Sequence, residues 1–418
     1  MTVTAASEAS ETSAVDFRAK LTLAAAVAVL VMILSYCVNA MDRTIFPLIL
    51  SDVRKEFGFD LKDAGLMSTV FTFGMAIAGL PTGYLMSRFS RKSVMQIGIF
   101  IYSTATILPA LAYGFWDMLL YRGLSGIGEA MQLTALLAIF SSFFNNHRAA
   151  AVGVLNLAYA VGAIIGPMLG TLLLTSYMSW RAPMIGFGVL GFVMMVFVVL
   201  AVRPWLSEAN SAAAPGSKGT IGGASSLANR NTVVLTILSV LFGLALYGFL
   251  GMYPTFLREH LHFAPAQIGQ AMSLYGLGAL ISSVGAGWLG DRFSPRLVLP
   301  LSFLFGAIVC ALLFDGPAEF GAQAVFSFVL GIAFSGMLFV NLVGYSVRAV
   351  TGDLAGRASG VFVTSLYGAA TIAGFVIGWL ANLFGWTLAG NIQLVLLCGI
   401  GMVVSLLVSP ATLAKRVI

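Results

Sequence analysis

Apolar runs of about twenty residues recur along the whole 418-residue chain, each long enough to cross a hydrocarbon core of roughly 30 Å. They lie near 21–50, 64–87, 93–113, 115–144, 148–176, 181–203, 231–257, 266–290, 296–314, 318–347, 355–383 and 388–409. In lipid each backbone N–H and C=O must be satisfied inside its own segment, so runs of this kind form helices. The predicted fold is an all-α polytopic membrane protein with about twelve transmembrane helices. Charged residues are 9% of the chain, against about 25% in soluble domains.

Residues 1–16 are polar and acidic and lack the basic-then-apolar order of a secretory signal, so they read as a disordered cytoplasmic tail. Residues 204–230 are rich in Ser, Ala, Gly and Asn and read as a cytoplasmic linker. It divides a six-helix bundle at 17–203 from another at 231–418. The net charge of +6 follows topology rather than a nucleic-acid partner. With the N-terminus inside, fifteen basic residues fall on that side and five on the other, with Arg43 and Arg122 within the membrane. The positive-inside rule then puts both termini in the cytoplasm of a cell inner membrane. Cys37, Cys310 and Cys398 each sit in an apolar run with no ligand spacing, which implies neither a disulfide frame nor a metal. No phosphate-binding loop, nucleophile elbow or metal motif points to an enzyme or a cofactor.

Four charges interrupt the runs: Asp42 and Arg43 in the first, Arg122 and Glu129 in the fourth. Each costs roughly 2.5–3.5 kcal/mol to insert unless it faces a cavity or a partner. At 1.5 Å per residue, Asp42 lies roughly 13 Å from the outer end of its helix, Arg122 roughly 10 Å and Glu129 roughly 21 Å. Positions 122, 126 and 129 share one helix face, and Gly126 leaves room there for a ligand or another helix. Arginine stays a fixed cation suited to carboxylates, whereas an adjacent acid can gain or lose a proton. In outline this is a proton-coupling device: Asp42 and Glu129 take the proton, and Arg43 and Arg122 bind the anion. The second half has no such charges. Its polar candidates are Tyr247, Tyr275, Ser335, Asn341, Tyr345, Thr364, Ser365 and Tyr367. Of these, Asn341 and Tyr345 share a face, and with Tyr367 they are candidates to hydrogen-bond substrate.

The halves repeat. Gly83-Tyr-Leu-Met-Ser-Arg-Phe-Ser-Arg-Lys92 matches Gly287-Trp-Leu-Gly-Asp-Arg-Phe-Ser-Pro-Arg296 at an offset of 204, as Gly65 matches Gly269. Such repeats indicate two bundles with the substrate between them. The two copies resemble the signature loop of the major facilitator superfamily. The resemblance implies a conformational latch of Gly83, Arg88, Arg91, Gly287, Asp291, Arg292 and Arg296. Ser87 departs from the family's Asp, which weakens the first latch. Met41-Asp42-Arg43 and Arg122-Gly-Leu-Ser-Gly-Ile-Gly-Glu129-Ala resemble the anion:cation symporter branch. That resemblance implies proton-coupled symport of an organic carboxylate or sugar acid by a monomer in contact with membrane lipids. Phe143-Phe144-Asn-Asn-His-Arg148 departs from that branch's pattern. Spinster-type lysolipid transporters, the alternative, share a similar Asp-Arg pair and Arg…Gly-Glu-Ala string, and Gly162-Ala-Ile-Ile-Gly166-Pro167-Met-Leu-Gly170-Thr171 resembles a drug/proton antiporter motif. As an alternative reading, that stripe packs a proline-bent helix closely on its neighbour.

Overall fold

The computed structural model describes residues 3–144, 148–208, 223–352 and 354–413. The first bundle comprises α1 (Val3–Phe57), α2 in two pieces (Leu61–Thr69 and Phe71–Arg88), α3 (Arg91–Ile107), α4 (Phe115–Phe143), α5 (Arg148–Tyr177) and α6 (Arg181–Ala201). The second comprises α7 (Arg230–Glu259), α8 (Pro265–Arg292), α9 (Pro295–Asp315), α10 (Phe320–Arg348), α11 (Ala355–Phe384) and α12 (Trp386–Ser405). Ten of these are apolar and long enough to cross a membrane, and α2 and α8 make twelve if each bent pair counts as one span. Leu61–Gly79 meets Pro81–Arg88 at 47°, and Pro265–Ser283 meets Gly285–Arg292 at 45°. Pro81 adjoins the first bend and Gly285 the second, the residue types that most often kink a helix.

The repeat reaches the caps. Ser90 accepts the N–H of Ser93 (3.0 Å) at the start of α3, and Ser294 accepts that of Arg296 (3.3 Å) at the start of α9. Each satisfies a helix-end donor that would otherwise lack a partner. The helix α1 as described begins at Val3, inside the 1–16 stretch expected as a tail. Most of the expected linker, 209–222, lies outside the described residues. Its end does not run free: Ala224 bridges Val350, donating its N–H to Ala349 O (3.1 Å) and accepting that of Thr351 (3.0 Å).

At the end remote from this linker, the far end, the two bundles are closed on each other. Gly65 and Gly374 bring the backbones of α2 and α11 together so closely that a Cβ on either would strike the other's carbonyl. Thr69 Oγ1 donates to Thr371 O (2.9 Å), and Ser68 Oγ to Gly251 O (2.8 Å). The symmetry-related seam joins α8 to α5, where Gly269 meets Pro167 and Thr171, and Ser273 Oγ donates to Ile164 O (2.7 Å). Ion pairs seal the rim. Arg54 forks onto Glu259 (3.1 and 2.6 Å), and Arg258 reaches Asp52 (3.9 Å). Arg54 also donates to Phe59 O (3.1 Å), and Arg258 to Phe263 O (3.4 Å). The two arginines are 204 residues apart, as are the two carbonyls they hold.

Candidate functional site

All four intramembrane charges are buried, with Asp42 1% and Arg43 7% exposed and Arg122 and Glu129 fully enclosed. Asp42 therefore belongs to the interior, not to a solvated helix end. The α1 and α4 faces meet so that Arg43 Nε lies 2.8 Å from Glu129 Oε2. The contact is a close ion pair without the alignment of a hydrogen bond. Arg43 Nη2 donates to Asn39 Oδ1 (2.9 Å), and Asn39 Nδ2 donates to Gln132 Oε1 (2.8 Å). Gln132 Nε2 in turn donates to Ser35 Oγ (3.1 Å). The network thereby fixes Arg43 by groups that are themselves held. The Tyr159 ring of α5 closes over its guanidinium at 5.5 Å.

Asp42 is held from two other helices. Thr106 Oγ1 of α3 donates to Oδ1 (2.7 Å), and Ser125 Oγ of α4 lies 3.1 Å from Oδ2. The same Ser125 Oγ lies 2.9 Å from Glu129 Oε1. One hydroxyl thus joins the two carboxyls, and Arg122 is the cation whose charge acts on Asp42.

Arg122 differs from Arg43. Its three guanidinium nitrogens have no hydrogen-bond partner among the described residues. Its carbon instead stands 4.5 Å from the Phe46 ring and 5.4 Å from that of Phe71. Cation–π contact stabilises it in part, but its N–H donors stay unmet in a buried place, which is costly. Gly126 explains the position of Phe71. It lets the backbone of α2 at Phe71, just past the break at Val70, lie directly on α4. The room expected beside Gly126 is therefore taken by a helix.

From Arg122 an aromatic path crosses to the second half: Phe71 to Tyr247 (6.1 Å between centroids) and Tyr247 to Tyr367 (5.8 Å). Tyr367 is half-buried and within the electrostatic reach of Arg43. The structure thus brings Tyr367 into the electrostatic range of Arg43, two ring contacts from Phe71. It does not bring Asn341 or Tyr345 there. Asn341 Nδ2 donates to Met337 O (2.8 Å), and Tyr345 hydroxyl to Gly290 O (3.1 Å), which binds α10 to the linker end of α8. Thr106, Ser125, Asn39 and Gln132 were not singled out as site residues from the sequence. A signal existed, since Asn39, Ser125 and Gln132 stand three or four positions from a buried charge and so share its face.

The loop residues make contacts within their halves. Lys92 Nζ donates to Val199 O (2.9 Å) and Val202 O (2.6 Å) at the end of α6, and Arg296 Nε donates to Val408 O (2.9 Å) beyond α12. These are equivalent positions, each satisfying carbonyls that a helix end leaves open. Arg88 lies on Tyr84 (4.8 Å) and Arg292 on Trp288 (5.8 Å). Asp291 pairs with Arg348 at 3.6 Å, and Arg91 opens α3 beside Lys92. Among the described residues nothing would meet a Cβ at Gly83 or Gly287 within 4 Å. The glycine stripe of α5 is a packing surface: Gly162 meets Cys37, Gly166 meets Met41 and Gly170 meets Ile45, all on α1.

A buried charge cluster within the first of two repeated six-helix bundles is the arrangement expected of a membrane transporter. The family model described as Major Facilitator Superfamily matches residues 32–256 and 235–417, and the chain belongs to that superfamily. It is a multi-pass membrane protein of a superfamily of transporters rather than of enzymes. Protein spinster of Drosophila melanogaster is 32% identical over 167 residues, 40% of this chain and 27% of that protein. A probable L-galactonate transporter of Escherichia coli (strain K12) is 28% identical over 171 residues, 40% of this chain and 37% of that protein. Multidrug resistance protein MdtL of Klebsiella pneumoniae (strain 342) is 26% identical over 374 residues, 87% of this chain and 91% of that protein. The matches to the spinster proteins span about a quarter to a third of those relatives' length. The crystal structure of a bacterial homolog of the human lysosomal transporter Spinster, inward-facing and unoccupied, superposes with a TM-score of 0.80 at 17% identity, covering 93% of this chain and 98% of that one. That likeness establishes the fold.

Proposed function

We propose that this chain is a proton-coupled symporter of a small organic anion, a carboxylate or sugar acid, with both termini in the cytoplasm of a cell inner membrane. The observation that carries the reading is Arg122, a buried guanidinium with its donors unmet beside a pair of carboxyls. An anion entering there supplies acceptors in the planar geometry that guanidinium matches. Asp42 and Glu129 supply the proton site, and Tyr367 meets the anion from the second half. The basic residues at the linker end orient that end to the cytoplasm. The closed far end then makes this the inward-facing state, and latch contacts across the signature loops belong to the opposite one. Uptake of sugar acids into proteoliposomes under an inward proton gradient tests the reading, and Arg122→Ala should abolish it.

One observation favours a second reading, an amphiphilic anion. An apolar groove of about 460 Å³ runs between α2 and α4, lined among others by Val70, Phe73, Trp116 and Leu120. Phe71, which follows Val70, also packs on Arg122. Spinster relatives include a sphingosine-1-phosphate transporter. Competition for uptake by a lysophospholipid, lost on Leu120→Trp, would favour it over a small acid.

A further inference from the structure

Ser125 stands three residues after Arg122 and four before Glu129, on the face of α4 turned to α1. Its single hydroxyl oxygen contacts two carboxyls at once, Asp42 Oδ2 at 3.1 Å and Glu129 Oε1 at 2.9 Å. A hydroxyl has one hydrogen to give. If both acids were ionised, one contact would press a lone pair against a carboxylate in a place closed to water. If one acid keeps its proton, it donates to Oγ while Ser125 donates to the other, and both contacts become hydrogen bonds. Two carboxyls meeting at one buried hydroxyl point the same way, since adjacent like charges do not both ionise in a buried site.

We infer that Ser125 is the proton relay of this site, its hydroxyl passing a proton between Asp42 and Glu129. The inference rests on the proton-coupled reading above and adds a residue that reading does not need. In the step, the Asp42 Oδ2–H bond breaks and its electron pair stays on Oδ2. That proton bonds to Ser125 Oγ while Oγ releases its original proton to Glu129 Oε1. Asp42 ends as a carboxylate, Glu129 as a neutral acid and Ser125 as it began. The move redirects both arginines. With the proton on Asp42, Glu129 is the anion that holds Arg43, and Arg122 is left for the substrate. That arrangement agrees with the 2.8 Å pair and the unmet guanidinium. With the proton on Glu129, Asp42 claims Arg122 and Arg43 is released. The other groups facing the relay are Tyr36 of α1, Tyr102 and Thr106 of α3, Tyr159 of α5 and Tyr367 of α11.

Infrared pH-difference spectra of the purified full-length protein, with no anion added, test the relay through the carbonyl band of a protonated carboxyl. Asp42→Asn and Glu129→Gln assign the band, and both should alter it because the proton is shared. Ser125→Ala should shift the band and slow its response to a pH jump about 100-fold, a loss of the size expected when a proton-transfer group is removed. Ser125→Thr should restore both. Ser125→Cys, close in size and a poor relay, should behave as Ala and serves if the Ala variant does not fold. A wild-type band and pH response in Ser125→Ala or Ser125→Cys overturns the relay. Because the spectra need no substrate, a relay signature without sugar-acid uptake sinks the symport reading alone. Uptake beside an unaltered Ser125→Ala spectrum sinks the relay alone.

Discussion

Arg43 and Glu129, brought together from α1 and α4, form an ion pair at 2.8 Å that neither shares appreciably with solvent. A pair in such a place is a weak source of net stability, yet removing one partner strands the other. Arg43→Met should therefore destabilise the first bundle by about 3–5 kcal/mol. Arg43→Met combined with Glu129→Leu should regain most of that stability without regaining transport. Thermal unfolding in detergent, read beside proteoliposome uptake, separates the two effects.

Arg122 should behave in the opposite way. Among the described residues its donors meet no acceptor, so Arg122→Ala should cost less stability than Arg43→Met while removing anion-induced thermal stabilisation. L-galactonate is a suitable first probe. Arg122→Lys should not rescue binding, because an ammonium lacks the planar fork and the stacking surface. Stabilisation by sugar acids at wild-type strength in Arg122→Ala would remove this residue from the substrate site.

The far-end seal should respond to its ion pairs. Arg54 and Glu259 are partly exposed, so salt should weaken their pairing. Glu259→Gln should raise the population open at that end. A cysteine placed at Ser68, beside the contact with Gly251, should then react with a membrane-impermeant maleimide several-fold faster than in the parent protein. The same rate in both would mean that the backbone contacts hold the closure alone.

Within the signature loops, Lys92 and Arg296 should matter for stability and Arg88 for conformational cycling. Lys92→Ala leaves the carbonyls of Val199 and Val202 without this donor, at a cost of about 1 kcal/mol. Arg88→Ala removes only a contact with Tyr84 and should leave the unfolding midpoint unchanged while lowering the transport rate.

The sequence made the four charges legible because an ionised group in an apolar run is an insertion anomaly that single residues reveal. It also made the twelve-span repeat legible, since apolar length and the 204-residue offset are linear properties. What stayed hidden was pairing across helices. Asn341 and Tyr345 looked fit for substrate because they share a face, but that spacing does not reveal that the face meets Gly290. Arg54 and Arg258 counted only as charges on one side, since their acids lie in the other half. Ser125 passed unnoticed because a serine costs little in a membrane helix. Its importance comes from two carboxyls, one of them on another helix.

In the proposed cycle a proton held by Asp42 and Glu129 travels with an anion held by Arg122. Recording internal pH in proteoliposomes during sugar-acid uptake follows that proton directly. Uptake should acidify the interior, and Glu129→Gln should abolish the acidification together with gradient-driven accumulation. Uptake with no proton movement, or wild-type acidification in Glu129→Gln, would contradict that cycle.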